Sequence, residues 1–273
     1  MTKLLEHGAM QNGLVRAQRQ GAYRIGPGNK PTRSRFDIIV DERHNELGAV
    51  SQRYKLTQPH DLLAAVDLLA EEKGIKLDPT RSHYRNGKAL FDISLPEYER
   101  RDPTDRDVTP TLSFGIGMGG VESLWTDLGM LIGRCSNGMV IFRGEHDSKR
   151  SRNTAGLDIM GHLWQAFESL DDGVDRYFRI TSAARQERFN FTGATFNDVR
   201  EEVGQRSRKT FDQIVVDNRQ LYGDVVWAAM QAITELQTHH TGTRKDGSLV
   251  WTSRDWARRQ LHTIVTDTGV ARA

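Results

Sequence analysis

Apolar residues recur at every second position through much of residues 36–143, and at every third and fourth position from residue 153 onward. A period of two belongs to strands half buried against a core, and a period near 3.6 belongs to amphipathic helices. A chain with this switch is expected to lay down a sheet first and helices second, the segregated arrangement of an α+β fold. Its strands are joined mainly by tight turns, which connect antiparallel neighbours. The expectation is therefore a largely antiparallel sheet, one inserted helix at about 57–74, and a helical C-terminal half.

Within the strand half, "FDIIVD" (36–41) places Phe36, Ile38 and Val40 on one face, and "AVSQRYKL" (49–56) is expected to pair back against it. The inserted helix has Thr57 as candidate cap, Pro59 and Asp61 in its first turn, and Gly74 at its end. Leu62, Leu63, Val66, Leu69 and Ala70 form its apolar stripe. A hairpin follows, "SHYRNGKALFDISL", turning at Asn86-Gly87, the dipeptide that best supplies two positive φ angles in a type I′ turn. Ala89, Phe91, Ile93 and Leu95 point to its core side. Leu112, Phe114 and Ile116 mark another strand, and Asn137-Gly138 is expected to turn a further hairpin. In the helical half, "DDG" (171–173) is expected to stop the first helix. Asp224 and Ser253 are expected to cap later ones, and "TRKDGSLVW" (243–251) to form a turn. Residues 1–35 are expected as a basic flexible arm, 36–152 as the strand-rich region and 153–273 as a helical region packed on the sheet.

The 273 residues are 37% apolar and 27% charged, a globular profile. No run of eighteen apolar residues exists, so no membrane span is expected. The single cysteine and the lack of an apolar leader suit a bacterial cytoplasm. Charge is unevenly spread: residues 1–60 hold ten Lys/Arg against five Asp/Glu, whereas 61–130 hold eight against thirteen. A basic end beside an acidic middle suits a polyanion partner or a head-to-tail oligomer. The stretch "RIGPGNKPTRSR" (24–35) reads either as a disordered tail or as a basic arm that orders on a partner.

Motifs for chemistry are sparse. "GIGMGG" (115–120) is followed by a strand pattern, not the helix a phosphate-binding loop requires. His239-His240 diverge around a helix, and no zinc spacing occurs. Asp37 and Asp41 share a strand face and, with Glu42, Asp92 and Glu97, could serve a metal-dependent nuclease. As a plain surface they would be solvated. Cys135 follows Arg134, which can lower a thiol pKa, but no histidine precedes His146 nearby, so a packed, inert thiol is expected. The broader signal is basic and aromatic. Arg53, Tyr54, Arg81, Tyr84, Arg85 and Lys88 lie in the strand half, and Arg134, Arg143, Lys149, Arg150 and Arg152 around the later hairpin. Cations that track phosphates and rings that stack bases suit single-stranded DNA.

"RYKLTQPHDLL", "YRNGKALFDISL", "LSFGIGMGG", "GRCSNGM", "RNTAG" and "WAAMQAITELQTHH" run in an order that resembles the phage/plasmid-like family known as domain of unknown function 932, over roughly residues 47–265. The resemblance implies an Arg-x-x-Cys-x-Asn segment, a later His-Thr, and a Trp with Asn-Ala four residues on. Here Arg134 directly precedes Cys135, Asn153-Thr154 replaces His-Thr, and Gln231-Ala232 follows Trp227. A catalytic role inherited from those residues is thereby weakened. The element order of residues 57–95 is also similar to the core of single-strand annealing proteins of the RecT and Red-beta group. Together these readings imply a phage or plasmid DNA-metabolism protein, a cytoplasmic homo-oligomer that binds single-stranded DNA and promotes annealing or recombination without cofactor. The alternatives are the nuclease and an interaction protein that neutralises a host factor.

Overall fold

The computed structural model describes residues 3–25, 30–101, 107–120, 123–132, 138–139, 148–151, 157–237 and 251–272. The chain has an α+β fold in which antiparallel sheets precede a C-terminal helical bundle. It divides into two compact units, one made of residues 1–97, 112–127 and 145–169, the other of 98–111, 128–144 and 170–273. None of the helices among the described residues is long and apolar enough to cross a membrane.

The first unit opens with a one-turn helix, α1 (Lys3–Glu6), and a 3-10 turn at Gly8–Gly13. Strands β1 (Ala17–Ile25), β2 (Pro31–Asp41) and β3 (Glu46–Ser51) then form an antiparallel three-stranded sheet in that order. Residues 3–25 and 30–35 thus hold helical turns and paired strands where the sequence suggests a flexible arm. Gly26, Pro27 and Gly28, which look like general breakers, fall between two long strands that pair with each other. The strand at 36–41 also departs from the expected alternation: Val40 is buried as expected, but so is the opposite set. Ile39 is fully buried and Asp37 and Asp41 are buried with it, whereas Phe36 is 54% exposed.

The turn from β2 to β3 shows why Asp41 is buried. Its Oδ1 accepts the backbone N–H groups of Arg43 (2.9 Å) and Asn45 (2.8 Å), and its Oδ2 accepts the Asn45 side-chain amide at 2.9 Å. Such local side-chain bonding lets aspartate organise a turn. Burial pushes this carboxyl upward, but the three hydrogen bonds and the Arg43 charge outweigh it and hold the group below its ordinary value.

Helix α2 (Pro59–Lys73) follows. Its cap is Gln58, not Thr57. Asp61 reaches back to the Gln58 N–H at 3.3 Å, while the Gln58 side chain turns to β1, where its Oε1 accepts from Ala17 N (3.0 Å) and its Nε2 donates to Ala17 O (2.8 Å). Gly74 closes the helix in the left-handed conformation, φ 68°. The apolar stripe of α2 is buried as its spacing predicts.

The second sheet has β4 (Asp78–Arg85), β5 (Lys88–Ser94), β7 (Asp107–Gly117), β8 (Leu124–Ile132) and β10 (Ser148–Ser151) in the order β10-β8-β7-β5-β4. The short β6 (Arg100–Arg101) pairs with β7, and β9 (Gly138–Met139) with β8. Asn86 and Gly87 turn β4 into β5 with φ of 48° and 74°, as the sequence predicts. Gly138 lies in a strand, paired with Leu131, rather than in a turn. Helix α3 (Ile159–Glu168) completes this unit, and Lys73 of α2 lies 4.1 Å from the half-buried Trp164 ring on α3.

A close approach within the first unit joins β3 to the segment that follows β7. A Cβ on Gly48 would run into the Gly119 carbonyl oxygen, and one on Gly119 into the Leu47 carbonyl oxygen. The cluster "GIGMGG" therefore serves backbone contact.

The second unit is built on α4 (Leu170–Gln186), α5 (Ala194–Glu202), α6 (Gln205–Tyr222), α7 (Val226–Glu235) and α8 (Trp251–Asp267). Its core holds a chain of aromatic rings, Phe189, Phe191, Phe196 and Phe211, with successive centroids 5.0–6.1 Å apart. Asp171–Gly173 sit in the first turn of α4 instead of ending α3, since acids near a helix start complement its dipole. Ser253 lies inside α8, and α7 is capped at Val225, leaving Asp224 to bind Arg219 at 2.7 Å. The proposed turn at 243–251 lies outside the described residues up to 250, and Trp251 already begins α8.

Two stability measurements check this account. Gly119→Ala should destabilise the protein by about 1–3 kcal/mol in chemical denaturation, because backbone must move to admit the methyl group. Asp41→Ala should cost about 1–3 kcal/mol at neutral pH. Because the folded carboxyl lies below its unfolded value of 3.8, the ionic part of this stabilisation is complete above that pH and is lost as pH falls through the folded value. The gap between Asp41→Ala and the natural chain should therefore narrow in acid. A gap of constant size would show that the charge does not hold the turn.

Candidate nucleic-acid interface

From Ala17 to Phe36 the sequence contains Arg19, Arg24, Lys30, Arg33 and Arg35 and no acidic residue. The fold turns this run into a β-ribbon. β1 and β2 pair from Ala17↔Asp41 to Ile25↔Pro31, whereas β3 covers only residues 36–40 of β2. The outer half is therefore two-stranded and exposed on both faces: Tyr23 (65% exposed) and Ile25 (78%) lie on one face and the exposed Arg24 on the other. Between the Gly21–Asp37 and Tyr23–Arg33 pairs, β2 has Ser34, Arg35 and Phe36 where β1 has only Ala22. Such a bulge twists a ribbon and redirects side chains, and Arg35 and Phe36 are exposed there.

An isolated two-stranded ribbon is marginal in water. This one is anchored at its root. Asp37, 2% exposed, accepts Arg33 Nη2 on Oδ1 at 2.6 Å, and Arg19 Nη1 lies 3.7 Å from its Oδ2. Arg19 also donates to the carbonyl oxygens of Gln52 (3.3 Å) and Tyr54. Arg33 reaches Asp37 by crossing Gly21, where any Cβ would collide with its guanidinium. The same guanidinium lies over the Tyr23 ring, 5.6 Å from the centroid, a cation–π contact of about 0.5–1 kcal/mol at an exposed site. Arg24, Lys30 and Arg35 point into solvent.

The aromatic and basic residues that the sequence singles out fall elsewhere. Tyr54 and Tyr84 do come together, but against the small core of Ala17, Ile39, Val50 and Met118. The Tyr54 hydroxyl donates to the Gly117 (2.8 Å) or Met118 (3.0 Å) carbonyl oxygen. Burial pushes the Tyr84 phenol up, and the Asp41 charge adds to this. Arg81 forms a two-point pair with the buried Asp92 (2.9 and 2.6 Å), which also accepts Ser113 Oγ at 2.5 Å. Arg53 is exposed, and Arg85 and Lys88 are half-buried partners across the hairpin. Lys149 and Arg150 lie on β10, opposite Thr126 and Trp125. Arg134, Cys135, Arg143, His146, Arg152, Asn153 and His239-His240 lie outside the described residues.

Three of the five carboxylates weighed for a metal are used internally, and Glu42 and Glu97 are exposed. Asp37 faces two arginines, Asp41 holds a turn, and Asp92 holds Arg81 and Ser113. Among the described residues, no three His, Cys, Asp or Glu side chains gather as a cation's ligands would. The ribbon residues Tyr23 and Phe36 were the ones hard to find from sequence. Their signal is the acid-free run with ring residues near its cations, bounded by strands that lack apolar alternation.

No curated protein and no solved structure matches this chain, so nothing found supports the expected similarity to the RecT and Red-beta group. The family described as domain of unknown function (DUF932) matches residues 46–259. That match runs from the start of β3 into α8, beginning after the ribbon and covering well over half of the sequence. The chain belongs to the DUF932 family.

Proposed function

We propose that this protein binds single-stranded DNA through the β1–β2 ribbon. The observation that carries the reading is the exposed outer part of the ribbon, within an acid-free run from Ala17 to Phe36, with Arg24, Lys30 and Arg35 in solvent and the rings of Tyr23 and Phe36 among them. Cations supply affinity for phosphate in any nucleic acid. Exposed rings add stacking that unpaired bases can accept and paired bases, already stacked on one another, cannot. Binding of this kind reads no base edge, so it would be largely blind to sequence. Copies of the protein lining a strand in this way would hold it extended for its complement, which is the annealing activity, needing neither nucleotide nor metal, that the reading includes.

The test is fluorescence anisotropy with a labelled fifteen-residue thymidine oligonucleotide, dT15, and a duplex of the same length. The single strand should bind more tightly. If Arg24, Lys30 and Arg35 each neutralise one phosphate, log K should fall against log salt with a slope of about −2. The triple variant R24A/K30A/R35A should lose at least tenfold in affinity at low salt and most of that slope, with its circular dichroism spectrum intact. Binding indifferent to salt, or unchanged in the triple variant, would overturn the proposal.

A further inference from the structure

We infer that Tyr23 is a base-stacking platform, held ready from behind by Arg33, and that one unpaired nucleobase of the bound strand occupies its open face. This rests on the reading of the ribbon as a nucleic-acid interface and names the group in contact there.

Four observations converge on it. Arg33 covers one face of the Tyr23 ring, 5.6 Å from its centroid, while the residue stays 65% exposed. Arg33 is itself fixed, because its Nη2 binds the buried carboxylate of Asp37 at 2.6 Å. Gly21 leaves the gap through which the guanidinium passes. Finally, Arg24 and Lys30, exposed on the same outer half of the ribbon, supply positive charge for the phosphates flanking a stacked base.

Ordering a tyrosine ring before binding matters for affinity. A free side chain would lose rotational freedom when a base settles on it, whereas a ring already held does not. Arg33 is thus a positioning residue, and its charge is partly spent on Asp37. The cations that meet phosphate are Arg24, Lys30 and Arg35. The preference is for any unpaired base, since every base offers a π face.

The experiment separates stacking from charge. With dT15, Tyr23→Ala should weaken binding by roughly five- to 100-fold and leave the salt slope unchanged. Tyr23→Phe should keep most of the affinity. The Tyr23→Ala penalty should vanish on a fifteen-residue oligonucleotide of abasic sites, which keeps the phosphates and lacks the bases. Gly21→Ala removes no functional group but pushes Arg33 aside, and it should weaken dT15 binding several-fold with the fold retained. Tyr23→Trp should show its indole emission quenched as dT15 is added. If dT15 binds and Tyr23→Ala and Gly21→Ala bind it as well as the natural chain, the platform is overturned while the ribbon remains the interface. An equal Tyr23→Ala penalty on the abasic strand would overturn it too. No binding of dT15 at all would overturn both readings.

Discussion

A carboxylate buried at the root of a β-ribbon is costly unless cations surround it. Asp37 sits there, and Arg19 and Arg33 converge on it from the two strands. Much of the N-terminal architecture depends on that convergence. Arg19, drawn to Asp37, also ties β1 to the carbonyls at Gln52 and Tyr54. Arg33, drawn to the same group, crosses Gly21 and covers the Tyr23 ring. One acid thus fixes two arginines, and the two arginines fix an otherwise free-standing ribbon. The remaining cations have no such internal call on them.

The parts of the fold visible in the sequence are those where local chemistry and tertiary packing agree. Asn86-Gly87 turns because both residues can take positive φ, and α2 forms because its stripe, Pro59 and Gly74 all point one way. The segment at 36–41 misleads because both of its alternating sets contain apolar residues. The set with Ile39 is buried throughout, since Asp37 and Asp41 find hydrogen-bond partners, whereas of the other set Val40 is buried and Phe36 is exposed. Asp171–Gly173 look like a helix stop, but acids suit a helix start equally well, and Ser169 is where the break occurs. Thr57 yields to Gln58 for a tertiary reason, the reach to Ala17, that no local pattern encodes.

The candidate site was legible in its charge and illegible in its geometry. The basic stretch 24–35 stands out, yet Gly and Pro within it read as disorder because a hairpin of polar strands has no apolar period to announce it. Tyr54 and Tyr84 stand out for the opposite reason. They are rings beside cations in sequence, but both pack around Met118, and the Tyr54 hydroxyl is bound there. The family match begins at residue 46, after the ribbon. The candidate interface is therefore carried by residues outside the matched region, and a comparison confined to that region would not detect it.

The side-chain amide of Gln58 meets Ala17 as a neighbouring peptide would, accepting from its N–H and donating to its carbonyl. It acts as an index mark at the first residue of β1. Side chains alternate along a strand, so a slip of one residue in the pairing would exchange the outlooks of Tyr23 and Arg24. The distal ribbon has no core of its own to forbid that slip. A glutamine at the start of a helix, bound to Ala17 six residues before the tyrosine, thus helps decide whether a ring or a cation faces Arg33.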